Sequence, residues 1–293
     1  MKPSFLVVTD LSARAQRATY LAALLASAVG GQLVLLHPEV LPMLEPELGM
    51  VTIPAEYFEQ QRLDDAQALR ELVRQLPAPA IVESLQGSLG EVLENLMVRW
   101  QPRLLVLALA AENDVLDELL INQALPALRD TGLPLLLVPE NAAQDPVMPR
   151  LVAVAADGEE FRLSTAAQAL VPILAEWTTD YCIIHVATPD EESADGSRRA
   201  EATVRHSGLL LVSPRTYQVR YQPCGAGIVQ AAQDVQAELL VLPVRPRTFL
   251  SSIFGCGVAA EVVRASPIPV LLLPTVPLPT DKPDPENVDG LIY

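Results

Sequence analysis

Apolar residues in this chain fall into short unbroken runs, bounded by Pro, Gly or charged residues, that alternate with longer segments of helical spacing. The runs at 239–242 and 269–273 are too short for ordinary helices and show no in-and-out alternation. They predict strands buried on both faces, as in a parallel sheet. Between them lie an irregular connection and a helix-like segment opening near Cys256 or Gly257. The stretch 103–139 repeats this layout. Leu104-Leu105-Val106-Leu107 stands 135 positions before Leu239-Leu240-Val241-Leu242, and Pro134 stands the same 135 before Pro269. An offset shared by a whole strand, helix, strand unit marks a duplication.

From the N-terminus, the pattern predicts a strand over 4–9 ending at Asp10, a helix to residue 28 stopped by Gly30 and Gly31, and a strand over 32–37. A loop over 38–54 precedes a helix over 57–75 with Leu63, Leu69, Leu72 and Val73 on one face. A strand over 80–85, a turn at 87–90, a helix over 91–100, a strand over 104–109, a mainly helical 115–129 and a strand over 133–138 complete this half. The second half repeats the opening move: a strand over 151–156 ends at Asp157, a helix over 165–177 is kinked or interrupted by Pro172, and a strand covers 180–186. Asp10 and Asp157 are 147 positions apart and His37 and His185 148, against 135 for the late units. About a dozen residues are thus missing near 189–207, whose polar composition predicts a short helix and a flexible loop. A strand over 217–222 and a helix over 225–236 lead into the last unit.

Helix-length connections between strands imply parallel pairing and right-handed crossovers. The expected fold is α/β: two repeated Rossmann-like (HUP-type) domains, each a five-stranded parallel sheet with helices on both faces. They span 1–140 and 150–275, with a linker at 141–149. A Pro-rich acidic tail, 276–293, is expected to be poorly ordered.

The 293 residues carry a formal charge of −16, which argues against an extended nucleic-acid surface. An acidic, soluble, cytoplasmic protein is the plain expectation. Asp10 and Arg14 interrupt the apolar N-terminus too early for a secretory signal. Residues 18–36 hold no charge, a length able to span a bilayer, but Gly30, Gly31 and Gln32 divide them into a helix end and a strand, so no membrane insertion is expected. Cys182, Cys224 and Cys256 form no CxxC pair and support neither a disulfide framework nor a metal site. Cys224 and Cys256 each stand just before an expected helix, whose dipole would favour a thiolate; the plainer expectation is small, half-buried residues.

In an open parallel sheet, ligands sit beyond the carboxyl ends of the strands. Thr9 and Asp10 would line that crevice in one half, Asp157 and Val186 in the other. Each carboxylate can accept hydrogen bonds from a ribose or a base amine, or cap the following helix. Gly255 to Ala260 fits a loose GxGxxA fingerprint, but a long loop separates it from its strand. His37 and His185 end matching strands, without an acid at helpful spacing, and are expected to be structural. No catalytic constellation is found.

The motifs FLVVTD with its Ala-rich helix, QLVLLH, ELLVLP and GVAAEVVRASPIPVLLLP, with their repeats, resemble the universal stress protein family, in a tandem two-domain arrangement reaching about Pro274. In members of that family that bind ATP, the fourth strand is followed by a glycine, two residues, a glycine, nine residues, a glycine and a Ser or Thr. The matching positions here are Pro243, Pro246, Cys256 and Gly257 in the second half, and Ala108, Ala111, Ile121 and Asn122 in the first. Proline has no N–H to offer a phosphate, and alanine does not readily take positive φ. The resemblance therefore implies a degenerate phosphate loop in both halves, no resident cofactor and no enzyme activity. The alternative is ATP or AMP in an altered pocket, held by Asp10 and Asp157 with Arg245 and Arg247, at the helix start marked by Gly257. It also implies that the apolar last strands, 133–138 and 268–273, pair so that the halves dock as a pseudo-dimer, with further self-association or protein partners at strand edges.

Overall fold

The computed structural model of the protein describes residues 2–38, 55–85, 89–109, 131–177, 179–187, 193–209, 214–220, 223–244 and 257–276. The expected loop over 39–54, the helix over 115–129 and the tail beyond 276 lie outside them.

In the first half the order is β1 (Ser4–Val8), α1 (Ala13–Ala28), β2 (Gln32–Pro38), α2 (Ala55–Gln75), β3 (Ala80–Leu85), α3 (Leu89–Trp100), β4 (Leu104–Leu109) and β5 (Leu135–Pro139). The second half has β6 (Leu151–Ala155), β7 (Arg162–Leu163), α4 (Thr165–Gln168), α5 (Val171–Glu176), β8 (Asp180–Ala187), α6 (Ser193–Ser207), β9 (Arg215–Arg220), α7 (Cys224–Asp234), β10 (Leu239–Val244), α8 (Val258–Ala265) and β11 (Val270–Val276). The α/β class is as expected. One sheet runs through both halves in the order β3-β2-β1-β4-β5-β11-β10-β6-β8-β9. Every pair within a half on this path is parallel, and the join between β5 and β11 is antiparallel, with Leu137 opposite Val270, Leu136 opposite Leu271 and Leu135 opposite Leu272.

Because strand side chains alternate between faces, each apolar run feeds two cores. Phe5, Val7, Leu104, Val106, Leu239, Val241 and Leu271 pack on the face of α1 and α5; Leu6, Val8, Leu105, Leu107, Leu240, Leu242 and Leu272 pack on the face of α3, α7 and α8. Both cores cross from one half to the other. Buried Trp177 donates from Nε1 to the Leu25 carbonyl in α1 at 3.2 Å, and Ser164 Oγ donates to the Gly132 carbonyl at 2.8 Å. Gly30 ends α1 with φ of 62°, the positive value that makes glycine the natural stop.

Four expectations need correction. Leu63 does not share the buried face of α2: it is 65% exposed, while Leu69 is buried and Leu72 and Val73 pack on the core. Residues 193–207 form a helix of 15 residues, not a short one. Its buried stripe is Gly196, Ala200, Thr203 and Val204, which is helical in spacing but too small and polar to register as an apolar face. The connection after β6 holds a strand, β7, that pairs antiparallel with Thr275 and Val276. It arises because Ser12 and Ser164, the side chains capping the first helix of each half, lie 152 positions apart while Asp10 and Asp157 lie 147 apart. Five residues have moved from helix into connection, and the helix itself is broken between α4 and α5, with Pro172 in the first turn of α5. The final strand also continues past 273 to Val276.

Candidate functional site

A cleft of about 360 Å³ opens at the carboxyl ends of β6, β8 and β10, where α7 and α8 begin. That volume lies within the usual range of small-molecule sites, about 300–1,000 Å³. Ala155, Ile184, Val186, Ile228, Leu242 and Val244, with Phe161, make the apolar lining, and Asp157, Glu159, Cys224 and Thr275 supply the polar side chains. Pro243 and Gly257 also line it.

Local chemistry puts these residues there. The ladder between β10 and β6 ends at Val241 opposite Val154, two residues before Pro243. Proline at that point costs the sheet no hydrogen bond on this side, yet presents the cleft with a ring and no donor. Gly257 is the residue before α8, with φ −84° and ψ 157°, and no side chain caps the helix start. The α7 start is likewise uncapped by a side chain, with Pro223 before it and Cys224 as the first helical residue.

The thiol of Cys224 is not activated by that helix end. Cys224 is exposed rather than half-buried, yet the protein packed about its sulfur, followed by the Asp157 and Glu261 carboxylates, pushes its pKa above the ordinary value; the thiolate that a helix dipole would favour is opposed by two full charges. Cys182 is buried, and burial raises it too.

Of the residues singled out in the sequence, Asp157, Val186 and Gly257 meet in this cleft. Thr9 and Asp10 stand at the matching end of β1 in the other half. Arg245 and Arg247, with Pro246, Cys256, Ala111, Ile121 and Asn122, lie outside the described residues. Asp157 is exposed and its Oδ1 accepts from the Glu159 N–H at 2.9 Å. Asp10 is committed locally: Oδ1 accepts from the Ser12 N–H at 2.9 Å and from Ser12 Oγ, and Oδ2 is 3.4 Å from the Arg14 guanidinium. Burial raises its pKa, but the hydrogen bonds from Ser12 and the Arg14 charge outweigh that, and the net shift is downward. Ser12 in turn caps α1 by accepting from the Ala15 N–H. Leu11 between them has φ of 64°, so the Asp10 turn is a held, strained feature.

His37 and His185 act as matching pins. The Nδ1 of His37 lies 2.8 Å from the Thr9 carbonyl and that of His185 2.9 Å from the Ala156 carbonyl. A carbonyl can only accept, so each ring carries its proton on Nδ1. An acid does reach His37, contrary to the sequence expectation: Asp65 of α2 lies 3.5 Å from Nε2, brought there by the tertiary fold.

The apolar lining was legible only as strand residues. Cys224 of α7, Glu159 and Phe161 of the connection after β6, and Glu261 of α8 were missed as neighbours because these three parts of the chain are far apart in sequence. Among the described residues no group of His, Cys, Asp and Glu is placed to hold a metal ion, and no helix is long and apolar enough to cross a membrane.

The model of the universal stress protein family matches residues 148–274, which contain every cleft-lining residue but Thr275. Three solved structures are similar across both halves. A universal stress protein from Archaeoglobus fulgidus DSM 4304 is 16% identical, covering 93% of this chain and 96% of its own, with a TM-score of 0.61. A protein of unknown function from Pseudomonas aeruginosa PAO1 is 17% identical over 94% of this chain and 93% of its own, TM-score 0.56. A putative universal stress protein from Pseudomonas aeruginosa UCBPP-PA14 is 17% identical over 94% of each chain, TM-score 0.56. At such identities the likeness is one of fold. No curated protein matches significantly.

Proposed function

We propose that the chain is a tandem universal stress protein, two repeated domains joined as a pseudo-dimer, that works in stress adaptation without catalysis, in the cytoplasm. Its means are protein contacts and a ligand cleft that no longer holds a polyphosphate. The observation that carries this is Pro243, standing in the cleft where the resemblance calls for a glycine. A triphosphate is held by backbone N–H groups and helix starts; here one such N–H is absent and Asp157 and Glu159 line the same cleft. In the first half Ala108 stands at the corresponding place in β4, and Asp10 is engaged with Ser12 and Arg14. Among the described residues neither half places a nucleophile beside a paired base, which favours a binding role. Protein contacts have two sheet edges to use. β3 carries Ile81 and Val82, 39% and 42% exposed, and β9 carries Arg215 and Arg220.

Calorimetric titration with MgATP and with AMP tests this. Wild type is expected to give no heat of binding in the micromolar range. Micromolar binding abolished by Asp10→Ala or Asp157→Ala would overturn the proposal and identify the half responsible.

A further inference from the structure

The cleft of the second half has a charge character as definite as its shape. Its body is apolar, formed by Ile184, Val186, Ile228 and Leu242, and a carboxylate, Asp157, lines it. A second carboxylate, Glu261 in the first turn of α8, lies against the first turn of α7. That approach exists because residue 225 is glycine: a Cβ there would fall on the Glu261 side chain, closer to its Oε2, Cδ and Cβ than real atoms come. The two helix starts at the cleft, neither capped by a side chain, would ordinarily attract an anion, each with about half a positive charge. Glu261 already supplies a full negative charge to that spot. With Asp157 it brings two full charges against two halves, and among the described residues no Lys or Arg lines the cleft, so the described groups give it negative character. The same two carboxylates, after burial, push the Cys224 thiol above its ordinary pKa. The chain's overall charge of −16 acts in the same direction.

We infer that this cleft binds an organic cation, an apolar body carrying one protonated amine that meets Asp157, and that Glu261 acts as a built-in anion keeping phosphates and carboxylates out. The volume of about 360 Å³ admits an aromatic amine with room to spare. The apolar walls receive the body by the hydrophobic effect, and the exposed Asp157 carboxylate at the cleft's edge selects the sign of its charge. This preference rests on the proposal that the cleft has lost its polyphosphate site. ATP seated there through main-chain N–H groups would end that proposal, whereas indifference to amines would end only this one.

The test uses three probes of nearly the same shape, phenethylamine, 2-phenylethanol and 3-phenylpropionate, titrated into the full chain at one ionic strength and followed by NMR. The expected order is amine, alcohol, acid, with at least a tenfold difference in affinity between amine and acid. Asp157→Asn, a change at an exposed position, should bring the amine down to the level of the alcohol. Glu261→Gln should raise the affinity of the acid several-fold while circular dichroism stays that of wild type. If Glu261→Gln fails to fold, the Asp157→Asn comparison alone decides. Equal affinity for amine and acid, preference for the acid, or no binding of the amine at millimolar concentration overturns the inference. Acid preference abolished by Arg245→Ala or Arg247→Ala would do so while naming the cations responsible.

Discussion

Asp10 illustrates how a residue that looks like a ligand-binding group can be spent on the fold. Its oxygens are taken by Ser12 and Arg14, and the turn they hold launches α1. Its pKa in the folded chain is below the usual 3.8, so its stabilising contribution is complete above that value and is lost as the pH falls through the lower folded pKa. Asp10→Ala is expected to cost about 1 kcal/mol at neutral pH, the usual size of a lost local cap. Urea unfolding at a series of pH values should show the gap to wild type closing in acid. A gap that stays constant into acid would contradict the assignment. Asp10 and Asp157 were visible in the sequence because each polar residue ends an apolar run. The company kept by Cys224, by contrast, could not be read there: Asp157 and Glu261 reach it from elements far along the chain, as Asp65 reaches His37.

Among the elements, the strands were the most legible, since uninterrupted Leu and Val between prolines can be little else than buried strand. Helix α6 was the least, because its packing stripe is made of Gly, Ala, Thr and Val and its exposed face of ion pairs such as Arg205 with Glu201. β7 was invisible, as two residues carry no period. The join of β5 and β11 was expected from the family resemblance together with the apolar last strand of each half, and in the fold it places Leu136, 1% exposed, opposite Leu271, fully buried. Leu271→Ala removes side-chain volume from the core shared by both halves and is expected to cost about 2–5 kcal/mol. Each half holds one of the two tryptophans, Trp100 and Trp177. Unfolding followed in Trp100→Phe and Trp177→Phe backgrounds should therefore show Leu271→Ala shifting both signals together. A shift confined to the Trp177 signal would mean that the halves melt independently.

For the molecule as a whole, the two halves share one scaffold and one strand order but differ at the carboxyl ends of their strands. The first-strand carboxylate, the second-strand histidine and the strand order recur in both, so the scaffold was readable from the offset between repeats. The cleft was not, because a pocket is defined by what surrounds it: Pro243 could be seen in the sequence, but that Asp157 and Glu159 share its cleft could not. The measurement that bears most directly on the proposed loss of a phosphate site is the difference density in both crevices of crystals grown with MgATP in excess. No ordered triphosphate should be found against Pro243 or Ala108. A triphosphate seated there through main-chain nitrogens would contradict the account.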